Sequence, residues 1–74
     1  MQDEIKEIMA DVLGIEPGMI DETSSMETVE SWDSLAQINI VAALEQRYGV
    51  TFEVSEIETM LSFPAIVEMV ESRI

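Results

Sequence analysis

The sequence predicts an all-α protein: a small four-helix bundle, with three main helices and a short third one, in a single domain spanning 1–74. Three observations carry that expectation. Apolar residues recur at helical spacing in three long stretches, and each stretch is bounded by helix start and stop residues. The one β-prone run, Val50-Thr51-Phe52, is too short and too isolated to build a sheet. At 74 residues a single core is only just sufficient, so every helix must bury its face against the others.

The first helix is expected over about residues 2–13, where Ile5, Ile8, Met9, Val12 and Leu13 make an amphipathic stripe. Asp3, Glu4 and Glu7 sit in its early turns, where the helix dipole favours negative charge, and Gly14 is placed to stop it in a left-handed cap. Residues 14–32 have no sustained period. Pro17-Gly18 is a turn signal, Thr23-Ser24-Ser25 is loop chemistry, and the scattered Ile15, Met19, Ile20, Met26, Val29 and Trp32 predict a long loop packed on the body. Ser24 and Glu27 have the spacing of a capping box around a brief helical turn.

The central helix is expected over 34–48, capped by Asp33 and closed by Gly49, with Leu35, Ile38, Val41, Leu44 and Tyr48 on its buried face. Ile40 and Ala43 widen the apolar surface, which predicts contacts on more than one side. Ser55 to Glu58 has a second capping-box spacing and predicts a short helix over 55–60. Ser62-Phe63-Pro64 opens the last helix, whose stripe is Phe63, Ile66, Val67, Val70 and Ile74. On these faces, Ile38→Ala or Val67→Ala is expected to cost about 2–5 kcal/mol.

Composition narrows the function. There is no His and no Cys, so the chain has no disulfide, no imidazole base, no thiolate nucleophile and no zinc site. Three Lys and Arg against sixteen Asp and Glu give a net charge of -13, which excludes the repeated phosphate contacts of nucleic-acid binding and predicts stability that rises with salt. No apolar run is long enough for membrane insertion, and the acidic N-terminus is not a signal peptide, so a cytoplasmic, monomeric protein is expected. The initial Met and the end at Ile74 predict a complete protein rather than an excised domain. Asp11 to Glu22 has the length of a calcium loop, but its third and fifth positions are Leu13 and Ile15 and its sixth is Glu16, so no metal site is expected. Paired carboxylates need a cleft that so small a body has little room for, and no catalytic residue is assigned.

The informative stretch is Ser31-Trp32-Asp33-Ser34-Leu35, which puts a hydroxyl at the start of the central helix, after a long loop and beside an acid. Ser34 has no basic partner to make it a nucleophile, yet a helix N-terminus is well suited to a phosphate ester. With the following ALEQRYGV, the acidic charge, the short third helix and the closing FPAIVEMVESRI, the chain resembles the acyl carrier proteins over essentially its whole length. The resemblance implies that Ser34 receives 4'-phosphopantetheine from coenzyme A through a phosphopantetheinyl transferase. The arm then carries acyl groups as thioesters to acyl-ligase, acyltransferase or ketosynthase-type enzymes with basic docking patches. It also implies a recognition surface, for which Asp33, Leu35, Glu27, Glu30 and Glu45 are the candidates.

Ala36 and Asn39 stand where general fatty-acid carriers place acids, and Gln37 and Asn39 leave the helix start polar but neutral, which predicts a specialised carrier of a fatty-acid or polyketide-type pathway. Trp32 either packs on the bundle or shows partners a distinguishing face. The six Met residues are soft filler, and Met60, Ile57 and Ile38 are candidates to line an acyl crevice. An aminoacyl or peptidyl carrier shares the same bundle and serine. An unmodified acidic helical adaptor and, on charge alone, a nucleic-acid mimic are the readings from other classes.

Overall fold

Four α-helices follow one another in the expected order: α1 (Gln2–Leu13), α2 (Ser34–Tyr48), α3 (Val54–Ile57) and α4 (Phe63–Glu71). The computed structural model describes residues 2–74, and no strand forms among them. The molecule measures 25 × 22 × 18 Å, with α1 packed along α2. Ile5, Met9, Ile20, Trp32, Ile40, Leu44, Met60, Ile66 and Val70 are fully buried at its centre.

The stops at the ends of α1 and α2 are alike. Gly14 and Gly49 take φ of 69° and 67°, and the following N–H groups, of Ile15 and Val50, donate back to the carbonyls of Ala10 and Glu45 at 3.1 and 3.2 Å. A β-carbon is disfavoured in that left-handed conformation, so glycine sets both helix lengths. At the other end of α2, the Asp33 carboxylate accepts the Ala36 N–H at 2.9 Å, as the cap spacing predicts. Ser62 caps α4 by accepting the Ala65 N–H at 3.2 Å, with Pro64 in the first turn where its missing donor costs nothing.

Several expectations need correction. The α2 face buries Ala36, Gln37, Ile40, Val41 and Leu44, whereas Leu35 and Ile38 are 67% and 62% exposed. At about 100° per residue, Ile38 lies roughly 130° and Leu35 roughly 170° from the centre of that face. Ile38 is therefore neither a core residue nor a crevice wall. The final stripe stops short, because α4 ends at Glu71 and Ile74 is 58% exposed. The short helix starts earlier than Ser55: Glu53 is its N-cap, and the Glu56 carboxylate reaches back to the Glu53 N–H at 2.9 Å. The box in the long loop moves by one residue. Ser25 N–H donates to Thr28 Oγ1 at 2.9 Å and Glu27 N–H to Ser25 Oγ at 3.2 Å, while the buried Ser24 accepts the Asp21 N–H.

The long loop is strapped down. After a 3-10 turn at Pro17–Met19, Ile20 enters the core, and the chain meets the segment between α3 and α4. There Met26 N–H donates to Leu61 O at 3.0 Å and Phe63 N–H to Ser24 O at 2.9 Å. These bonds satisfy backbone that would otherwise be stranded against the core.

Each of the three basic side chains lies over an aromatic ring: Lys6 over Phe63, Arg47 over Tyr48 and Arg73 over Phe52, at 5.3–5.6 Å. Arg47 also pairs with Glu4, and Arg73 with Glu56. All three cations are thus engaged by neighbouring rings or carboxylates, and sixteen acidic residues against these three dominate the charge of the surface.

Tyr48 reports on this arrangement. Partial burial and the nearby Glu4 carboxylate, partly offset by Arg47, push its hydroxyl above the ordinary value of 10.0. The fold favours the neutral phenol, so this contribution to stability is full below about pH 10 and is lost as pH rises through the folded-state value. Tyr48 is the sole tyrosine, so its absorbance titration should give a midpoint above 10.0 that Glu4→Gln moves downward. A midpoint at or below 10.0 in the folded parent would contradict the Tyr48–Glu4 packing.

Candidate functional site

Ser34 opens α2 with its side chain exposed, and its hydroxyl makes no hydrogen bond among the described residues. The local sequence explains why. Trp32 N–H donates to Val29 O at 3.0 Å and Asp33 N–H to Ser31 O at 3.2 Å, which turns the chain sharply into the helix. Asp33 then occupies the Ala36 N–H with its carboxylate, at 2.9 Å, and the Gln37 N–H with its carbonyl, also at 2.9 Å. The N–H groups of Ser34 and Leu35 remain at the positive end of a 15-residue helix. An exposed hydroxyl and two N–H donors without partners among the described residues suit a phosphodiester tethered at Ser34, so the residues present fit a phosphopantetheine arm.

The other candidates divide. Glu27, Glu30 and Asp33 are exposed and precede Ser34 on one loop, and Leu35 follows it on the exposed side of α2. Glu45 is turned inward: its carboxylate accepts the Phe52 N–H at 2.8 Å and holds the turn after α2. Trp32 is only 2% exposed, which removes it as a face shown to partners; its packing on the bundle is the reading that stands. Of the crevice candidates, Met60 is fully buried, Ile57 half-buried and Ile38 outside, so the three do not form one lining. An open groove of about 560 Å³ does lie along the loop leading to Ser34, lined by Ile15, Met19, Thr28, Val29, Glu30 and Ser31.

The residue that sequence reasoning missed is Gln37. It is only 6% exposed, and its carboxamide accepts the Trp32 indole N–H at 2.7 Å while donating to Ile57 O at 3.2 Å and Met60 O at 2.8 Å. A glutamine counts as surface in any hydropathy pattern. The available signal was the tryptophan five residues earlier, since a buried indole N–H needs an acceptor.

Comparison with known proteins agrees with this geometry. Residues 3–71 match the family described as a phosphopantetheine attachment site. The chain is also 38% identical over 63 residues to polyketide-8 synthase acyl carrier protein 1 of Streptomyces avermitilis, covering 85% of this chain and 75% of that protein. The chain belongs to the acyl carrier protein family: it carries acyl groups on covalently bound 4'-phosphopantetheine. Among the described residues no helix is long and apolar enough to cross a membrane.

Proposed function

We propose that Ser34 is the residue that takes the arm, and that this chain, acting as one domain over 1–74, serves a polyketide-type synthase in the cytoplasm. The observation that carries the assignment is the exposed, unbonded Ser34 hydroxyl at the N-terminus of α2, on a helix start already capped by Asp33. The kinship with a polyketide synthase carrier supports the pathway class. When bound, the arm supplies a terminal thiol on which an acyl group rides as a thioester.

The chain's own part is presentation. No His is available to take the Ser34 proton, so a group on the phosphopantetheinyl transferase must accept it as the Oγ–phosphorus bond forms and the nucleotide part of coenzyme A leaves. The exposed acids Glu27, Glu30 and Asp33 would steer basic patches on the transferase and on synthase enzymes toward Ser34, and Leu35 offers an apolar contact beside it. With no charge between Ser34 and Glu45, that face of α2 asks for a partner whose contact is apolar at its centre and basic at its edge.

The test is to load the protein with a transferase, coenzyme A and magnesium, digest it and map the adduct by mass spectrometry. One arm on Ser34 is expected. An arm on Ser24, Ser25 or Ser31, or none on folded protein, would overturn the assignment.

A further inference from the structure

The α3 helix is held differently from the others. It has four residues and none of its side chains is buried; Val54 is 73% exposed. One of its attachments is the Arg73–Glu56 pair, of a partly exposed kind that contributes little. Another is Gln37, whose side-chain nitrogen donates both to the carbonyl of Ile57, the last residue of α3, and to that of Met60 in the turn beyond. The bond to Met60 is buried and the bond to Ile57 part-buried, so losing them leaves polar groups short of partners at the edge of the core.

A carboxamide is a rigid plane, so its two ends cannot move separately. The Gln37 nitrogen is committed to α3 and its oxygen to the Trp32 indole. If the α3 carbonyls withdraw, the amide must turn to find new partners, and that turn takes the acceptor away from Trp32. Trp32 in turn is adjacent to Asp33, the cap that sets the start of α2, and lies two residues before Ser34.

We infer that Gln37 is a positioning residue coupling α3 to the segment that presents Ser34, so that α3 leaving the body and Trp32 losing its acceptor are one event. Only its relevance to carrier function rests on the assignment of Ser34; the coupling itself belongs to the unmodified chain. A partner or cargo that lifts α3 would loosen the Ser34 platform, and a partner that grips the platform would hold α3 down.

Hydrogen exchange on the unmodified protein tests this without a mutation. The Trp32 indole N–H and the amides of Glu58, Thr59 and Met60 should exchange through an opening of the same free energy, lower than that governing Ile66, Val67 and Val70 in α4. An indole N–H as protected as α4, beside faster amides after α3, would overturn the coupling. Two variants then locate it. Gln37→Met should speed exchange at residues 58–60 by about five- to tenfold relative to α4, the worth of a hydrogen bond of this kind. Trp32→Phe removes the indole N–H and also part of a ring buried in the core, so it too is read relative to α4. It should speed residues 58–60 beyond α4 in the parent and add nothing beyond α4 in the Gln37→Met background. Excess speeding over α4 that multiplies in the double variant, or no excess over α4 in either single variant, would overturn it. Since Ser34 need not be loaded for any of these readings, their failure is separate from a failure of the attachment assignment.

Discussion

Ser34→Ala should keep the parent's melting temperature to within a degree or two while losing all capacity to take up phosphopantetheine. Both halves follow from the site. The Ser34 side chain is exposed and makes no bond among the described residues, so removing its oxygen leaves the packing untouched. Alanine is a good first-turn residue, and the cap comes from Asp33, which stays in place. The change in stability is therefore expected within about 0.5 kcal/mol. The chemical effect, by contrast, is expected to be complete, because the oxygen proposed to form the ester has gone. Intact mass after incubation with coenzyme A, magnesium and a transferase, alongside a thermal melt, checks both at once. Asp33→Ala is the informative companion: losing the cap should cost about 1 kcal/mol, with loading slowed but still possible. Uptake by a folded Ser34→Ala protein would show that attachment occurs elsewhere.

A second large effect separates two isoleucines two residues apart. Ile40→Ala should cost about 2–5 kcal/mol, enough to unfold most of a domain this small, whereas Ile38→Ala should stay within about 0.5 kcal/mol. Ile40 is fully buried between the helices and Ile38 is mostly in water, although both are isoleucines on the same helix. Urea melts of the two variants measure the difference directly. Equal midpoints would mean that α2 is rotated from the orientation described. Ile38 retains a use: with Leu35 it forms exposed apolar surface on α2, so Ile38→Ala is a suitable variant for weakening partner contact without weakening the fold.

The extents of α1 and α2 were legible because their ends are chemical, whereas α4, which has no glycine stop, ends short of the Ile74 its stripe had included. Asp33 and Gly49 bound α2 at the residues expected, and Gly14 stops α1 where the periodic stripe gives out. The attachment-site candidate was legible for the same reason, since it sits at a helix start. Register was harder. In α1 and α4 polar and apolar residues alternate clearly enough for the pattern to select a face. In α2 apolar residues from Leu35 to Leu44 surround nearly the whole helix, so several phases bury a similar set, and periodicity alone chose one that placed Ile38 inside.

What the amino-acid sequence determined by itself, then, is local: helix order, caps and stops, the exposed hydroxyl at the start of α2, and the excess of acid that its few cations cannot mask. These depend on interactions within a turn or two of chain, where identity and spacing suffice. Only the tertiary structure decided the rotation of α2, the inward turn of Glu45, and the burial of Gln37 beneath Trp32 and α3. Those outcomes depend on partners five to 23 positions away, or on a polar group finding all its hydrogen bonds at once inside the core. A residue's own polarity says what burial would cost it, but not whether the fold will supply the acceptors and donors that remove the cost.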